Sequence, residues 1–324
     1  MSFKYRVSGL IVMIVVLAAA LPVLAQDATD EPMSELPDMV VVEHTGLTPE
    51  GIEWDSVNGR FLLSSLVEGT IFEVADDGTI TPFIEDENFL ATVGIEVDEA
   101  NNRLLVTNSD PAAMGGAAGQ ASLGIYDLTS GELIHWVDLD EVSPNAPVFF
   151  ANDVAVDDEG NAYITNSLSP LIYKVDIDGN ASIFIEDDRL GAEGFGLNGI
   201  AFHPDGYLIV ANTGAGALLK IPVDNPEMME QVVIEQSIGG DGMVFDDNWD
   251  LVVVDNPTMT VLRLQSEDDW VSAIVTATSP DHPATTAALR DGEIYVIYAH
   301  FEGMDGSVEV NEYEIVHAEF QDAM

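Results

Sequence analysis

Six short segments open the same way along the chain: Glu50-Gly51-Ile52, Val93-Gly94-Ile95, Asn152-Asp153-Val154, Asn198-Gly199-Ile200, Asp241-Gly242-Met243 and Thr285-Thr286-Ala287, spaced 43 to 59 residues apart. A second β-branched or aromatic run follows each at a similar distance, at residues 61–64, 104–107, 163–165, 208–210, 251–253 and 294–296. Third runs follow, as at 69–74 and 171–175, and Asp-Gly turns at Asp77-Gly78 and Asp178-Gly179 lead into fourth strands such as 181–185. No stretch after Leu47 sustains a helical period. Four short strands repeated at this interval predict blades, and six blades predict one all-β domain over residues 38–324, a six-bladed β-propeller with four antiparallel strands per blade. Radially packed blades bury both faces of each sheet, which accounts for strands that are apolar nearly throughout. A two-domain sandwich would not produce six equivalent openings.

The innermost strand of each blade lines the central channel, so equivalent positions at its start form a ring at one mouth. That position reads Glu50, Val93, Asn152, Asn198, Asp241 and Thr285. Any one polar residue at a strand start is ordinary turn chemistry. Four carboxylates or carboxamides converging on one axis suit a divalent hard cation, and the lack of His and Cys in the ring argues against zinc, copper and iron. A wide, rigid ring of oxygens favours Ca2+ over Mg2+, with coordination positions left for water or a small-molecule substrate.

Charge limits the partners. With 9 basic and 58 acidic residues the formal charge is −49, which repels nucleic acid and anionic membrane surfaces. The acids sit in turns between apolar strands, as in Asp157-Asp158-Glu159-Gly160, and 47% hydrophobic residues can build a core, so they read as a solvated surface. Cysteine is absent, so nothing follows about redox chemistry. Lys4 and Arg6, an apolar run over 10–20 and small residues up to Ala25 predict a cleavable signal peptide over 1–25, and the run is short for a membrane anchor. A disordered acidic leader is expected over 26–37, and the mature chain is expected to be a secreted or periplasmic monomer without stable membrane association.

The motifs Pro49-Glu50-Gly51-Ile52-Glu53-Trp54-Asp55, Asn152-Asp153-Val154-Ala155-Val156-Asp157, Leu197-Asn198-Gly199-Ile200-Ala201-Phe202 with Pro204-Asp205-Gly206, and Asp241-Gly242-Met243 resemble the senescence marker protein, gluconolactonase and luciferin-regenerating enzyme family, in order and across nearly the whole mature chain. The resemblance implies a six-bladed propeller in which Glu50, Asn152, Asn198 and Asp241 fall on the family's calcium ligands, and hydrolysis of lactones or, as in the related diisopropyl fluorophosphatase, of organophosphates. Phe150 stands where sugar-lactone members carry an Arg two residues before the Asn. The chain continues Asn166-Ser167 where those members show a Gly-Thr-Met run.

Two readings of function follow. In the first the protein is a calcium-dependent lactonase or esterase-type hydrolase, with Asp241 activating water as a base or attacking directly, and with a preference for neutral, fairly apolar lactones because Phe150 replaces a charged donor. In the second it is a non-catalytic extracellular propeller that binds a ligand or protein, with calcium closing the channel. Of the residues ending the second strands (Ser65, Asn108, Asn166, Asn212 and Asp255), Asn166 and Asn212 are expected in the pocket or as supports to the ligands. The insertion at 111–120 reads as a flap or a tolerated surface loop, and His282 and His300 as residues near the mouth without a paired partner.

Overall fold

The computed structural model describes Met1 and residues 36–323, so the expected signal peptide over 1–25 and the leader up to residue 35 lie outside the described residues. Six antiparallel sheets follow one another along the chain. Their inner strands are Ile52–Asp55, Thr92–Asp98, Ala151–Val156, Leu197–His203, Gly240–Phe245 and Ala284–Arg290. Each coincides with one of the six repeated openings. The only helical elements among the described residues are short 3-10 turns.

Alternation of apolar residues on both faces gives each sheet two sides to bury, and the core divides accordingly into six layers between neighbouring blades. Leu62, Ile71, Ile95, Leu104 and Val106 fill the space between blades 1 and 2. Ala155, Ile172, Leu197, Leu208 and Val210 do the same between blades 3 and 4. Inner strands of adjacent blades also come close enough that a side chain would not fit. A Cβ on Gly51 would lie 2.7 Å from the Val93 carbonyl oxygen, and one on Gly94 would lie 2.6 Å from that of Asn152. The glycine after the ring position is therefore a steric requirement of blade packing, since neither residue has a positive φ.

Two features of the architecture go beyond the repeat. Blade 6 takes its outer strand from the other end of the chain: Met39–Glu43 pairs antiparallel with Glu312–His317, and Val40 and Val42 enter the core between blades 6 and 1. Tyr295 donates to the Pro37 carbonyl at 2.8 Å, fastening the start of that strand. Blade 5 carries a fifth strand, Gln321–Asp322, against its outer edge at Ala277 and Thr278.

Candidate functional site at the channel mouth

Five of the six inner strands carry a register irregularity near their first residues. In blade 3, Ala151 pairs with Asn166 and Val154 with Ile164, leaving Asn152 and Asp153 opposite Thr165 alone. Blades 4 and 5 repeat this between Leu197 and Ile200 and between Gly240 and Met243. A bulge re-aims side chains that a regular pleat would send into the neighbouring blade. In blade 1 Glu50 precedes the paired strand, and Gly51 is tied instead to Ser64 through its own N–H at 2.7 Å.

Hydroxyl groups hold the ring together across the blades. Thr107 donates to the Asn152 carbonyl at 2.6 Å, Thr165 to the Asn198 carbonyl at 2.7 Å and Thr285 to the Glu50 carbonyl at 2.8 Å. Thr213 donates to the Gly240 carbonyl, next to Asp241. Each bond runs from one blade to the backbone at, or one residue before, the ring position of the next. The repeated Thr before the strand-ending Asn, in Thr107-Asn108 and Thr165-Asn166, is a sequence signal for two of these bridges, whereas Thr213 follows Asn212 and Thr285 opens an inner strand.

The ring positions Glu50, Val93, Asn152, Asn198 and Asp241 share one cavity of about 400 Å³, while Thr285 lies beneath, bonded to Glu50. Asn152 donates its Nδ2 to Ser167 Oγ at 2.9 Å, which fixes the amide so that Oδ1 is its free end. That Oδ1 is buried without a hydrogen-bond partner. Leaving a buried carbonyl oxygen unpaired costs about 1–3 kcal/mol, so a ligand that accepts its lone pairs is favoured. Asp241 receives Asn256 Nδ2 on Oδ2 at 2.9 Å, and Asn256 also donates to the Ala284 carbonyl. Burial pushes the Asp241 carboxyl up to about 7, against the opposing hydrogen bonds from Asn256 and Asn198. Glu50 is raised well above its ordinary value by burial and then by the facing charges of Asp241 and Asp153.

No Lys or Arg lines this cavity, so its two carboxylates have no protein counter-charge there. Two carboxylates and two amide oxygens, of which Asn152 Oδ1 is the orphaned acceptor, match the donor set of a hard divalent cation. Among the described residues no group of three or more His, Cys, Asp or Glu side chains gathers as a metal site. The oxygen chemistry of this ring rests on its amides as much as on its acids.

The walls above the ring are apolar: Leu66, Val93, Met114, Phe150, Phe195, Pro257, Phe301 and Met304. Phe150 meets Phe195 edge to face with ring centroids 5.6 Å apart. Residues 111–120, open in the sequence between flap and surface loop, bring Met114 to this wall. The strand-end residues do other work. Asn166 accepts from Leu168 N and Ser169 N at 3.0 Å each, and Asn212 donates to the Leu190 carbonyl at 3.0 Å, so both fasten loops and neither lines the cavity. The period of two explains it: Thr165 faces the next blade, and Asn166, one residue on, faces its own connector. His282 is held by Ser279 at 2.8 Å and Tyr298 at 2.8 Å, and His300 by Glu314 and Glu302, with neither on the cavity wall. Asn256 and Thr213, absent from the sequence-based set, do line it.

Solved structures share this architecture. The major allergen Mala s 1 of Malassezia sympodialis superposes with a TM-score of 0.75 at 22% identity, covering 89% of this chain and 97% of that one. A luciferin-regenerating enzyme matches with a TM-score of 0.60 at 16% identity over 87% of this chain and 97% of its own. A calcium-binding regucalcin from Agrobacterium tumefaciens matches with a TM-score of 0.59 at 18% identity over 87% and 94%. At these identities the likeness establishes the fold. No curated protein matches the chain. The SMP-30/gluconolactonase/LRE-like model matches residues 48–297, from the connector before Glu50 to the second strand of blade 6, and the chain belongs to that family.

Proposed function

We propose that this protein is a calcium-dependent hydrolase of neutral, fairly apolar lactones or related esters, working at the channel mouth. The observation that carries the reading is the free, buried Asn152 Oδ1 beside Glu50, Asn198 and Asp241 on the floor of an apolar cavity. Family membership supports a hydrolase-like role in general, and the calcium-binding regucalcin among the structural neighbours supports a divalent cation. Glu50, Asn152, Asn198 and Asp241 would hold the ion, which when bound supplies positive charge to stabilise the negative charge developing on a carbonyl or phosphoryl oxygen.

The remaining chemistry belongs to the side chains. Asn256 holds one oxygen of Asp241 and so orients its carboxylate. Asp241 acts on the scissile carbonyl in one of two ways, by taking the proton of an attacking water or by attacking with its own oxygen. In the first way the oxygen of water joins the carbonyl carbon as the ring C–O bond breaks. In the second the carboxylate forms a mixed anhydride as that bond breaks, and water then cleaves the anhydride at the Asp241 carbonyl carbon, so that either way the product is the hydroxy acid. Phe150 and Phe195 exclude water from the walls and offer sugar hydroxyls no partner, which disfavours polyhydroxylated lactones. Export with removal of residues 1–25 belongs to the same proposal, and mature protein beginning at Gln26 on N-terminal sequencing checks it.

The test is turnover of a panel of aliphatic lactones, aryl esters, phosphotriesters and gluconolactone, with calcium and with chelator, beside calorimetric titration with calcium. Calcium-dependent turnover that favours aliphatic lactones over gluconolactone supports the proposal. Calcium binding without turnover of any member would leave the propeller as a binding module. No calcium binding, or zinc displacing calcium at equal concentration, would sink the metal assignment. Single turnover in labelled water separates the two roles of Asp241, since attack by the carboxylate leaves the label in the protein.

A further inference from the structure

The connectors from second to third strand rise around the mouth, and two are far longer than the others. Blade 2 uses residues 110–120 and blade 6 uses residues 299–311, whereas blade 4 closes the same connection with residues 213–216. The long pair flanks blade 1, whose shorter connector supplies Leu66. Each carries a 3-10 turn, Pro111–Gly115 in one and Phe301–Gly303 in the other.

Both loops are anchored at their bases and apolar at their tips. Asp110 caps its turn through Ala112 N at 2.9 Å, Phe149 N donates to the Ala118 carbonyl at 2.8 Å, and Ala113 is buried against the Phe150 cluster. On the other side His300 bonds Glu314 at 2.7 Å, and Gly303 N returns to the His300 carbonyl at 2.9 Å. Met114 remains 47% exposed and Phe301 48% exposed, with Met304 half-buried beside them. Large apolar side chains are exposed elsewhere on this surface too, but Met114, Phe301 and Met304 line one cavity together with Phe150 and Phe195. Apolar side chains from two loops above a polar floor are the form of a site for an amphiphilic ligand, and methionine adapts its shape to a flexible chain.

We propose that Met114, Phe301 and Met304 form a tail-binding rim, and that the ligand of this protein is a neutral molecule whose polar head meets the ring while an aliphatic chain extends between the two loops. The inference deepens the hydrolase reading and rests on it for the identity of the head group. The rim itself stands on the geometry of the loops.

Two measurements test it. In the first, kcat/KM is followed across γ-lactones bearing alkyl chains from methyl to octyl, at fixed calcium. Efficiency is expected to rise roughly threefold to fourfold per methylene while the chain is being buried, and Met114→Gln and Phe301→Gln are expected to lower the ratio of octyl to methyl substrate about tenfold each. A ratio unmoved by either substitution, in variants whose thermal melts match the parent, overturns the rim. The second measurement needs no turnover: the fluorescence of N-phenyl-1-naphthylamine bound to the whole protein is displaced by 1-decanol and by 1-butanol. Displacement by decanol at far lower concentration, weakened in both variants, supports the rim even if no lactone is cleaved. Equal displacement by the two alcohols, or probe affinity unchanged in the variants, overturns it even if lactones are cleaved.

Discussion

The channel holds two groups of acids that differ in what surrounds them. At the mouth Glu50 and Asp241 stand with Asn152 and Asn198, the Asn152 amide held by Ser167 and the Asp241 carboxylate by Asn256, around a cavity of about 400 Å³. Further along the inner strands Glu53 and Glu96 stand near Asp153, each half-buried, and none of the three lines that cavity. Burial pushes Glu53 up to about 8, with the Asp153 charge adding to it, and burial raises Glu96 in the same way, with Glu53 as the next cause. Both groups carry uncompensated acid, but only the first has neutral amides beside it, one of them fixed in place with its acceptor left open. Acidity therefore does not mark the site; amides beside open space, one of them locked, do. In the deeper group burial and the neighbouring charges both favour the protonated carboxyl.

The sharpest test of that contrast is catalytic. Asp241→Asn keeps an oxygen ligand but can neither accept a proton nor attack, so kcat should fall by a factor on the order of 10²–10⁴ while the fold persists. Glu53→Gln, three residues along the chain from Glu50 and outside the cavity, should leave kcat within a small factor. Turnover by Asp241→Asn at the parental rate would place the chemistry elsewhere.

Metal affinity separates the groups next. Calcium at one hundred times its Kd should stabilise the folded protein by about 2.7 kcal/mol and raise Tm by roughly 5–10 °C. Glu50→Gln should abolish most of that rise and Glu53→Gln should not, as differential scanning calorimetry with calcium and with chelator will show. An equal loss in both variants would break the distinction between mouth and deep channel.

Stability against pH reads the deeper acids directly. A carboxyl whose pKa is raised on folding binds its proton more tightly in the native state, so its contribution is greatest below the unfolded value of 4.5 and is lost as pH rises through the folded value of about 8. Metal-free protein should thus lose stability between pH 5 and 8. At pH 8 Glu53→Gln should recover roughly 1–3 kcal/mol of it in urea unfolding, because the amide has no charge to desolvate. A variant less stable than the parent at pH 8 would contradict the protonated, buried role assigned to Glu53.

The smallest effect belongs to the bridges between blades. Thr165→Val removes the bond to the Asn198 carbonyl and should cost about 1 kcal/mol, with a few-fold loss of calcium affinity, since the backbone that positions one ring amide is released. Ser182→Ala in the outer strand of the same blade has no such contact to the ring and serves as the control. Equal calcium affinity in the two variants would reduce the threonine bridges to a purely structural role.

Much of this was legible before the coordinates, for a specific reason. The openings from Glu50 to Thr285 recur because each blade solves the same packing problem, so one alignment of the chain on itself gives blade number, strand order and the ring column together. The Gly after Glu50, Asn198 and Asp241 reads as part of a motif, and the structure gives its cause in the close approach of neighbouring inner strands. Asn166 and Asn212 resembled pocket residues because they end strands that reach the mouth, yet their side chains turn away to their own loops. Whether a strand-ending side chain faces the cavity or its connector depends on register at the bulge, which composition does not encode.

The sequence by itself determined the six blades, the acidic exterior and the oxygen ring, because these follow from local patterns repeated along the chain. Tertiary structure alone decided the closure of blade 6 by Met39–Glu43 and the bond from Thr285 to Glu50, which joins residues 235 positions apart. It also decided that residues 110–120 and 299–311 face one another across blade 1 as apolar lips. The physical reason is ring closure: the ends of the chain, and loops from blades 2 and 6, become neighbours only when the circle of blades is complete.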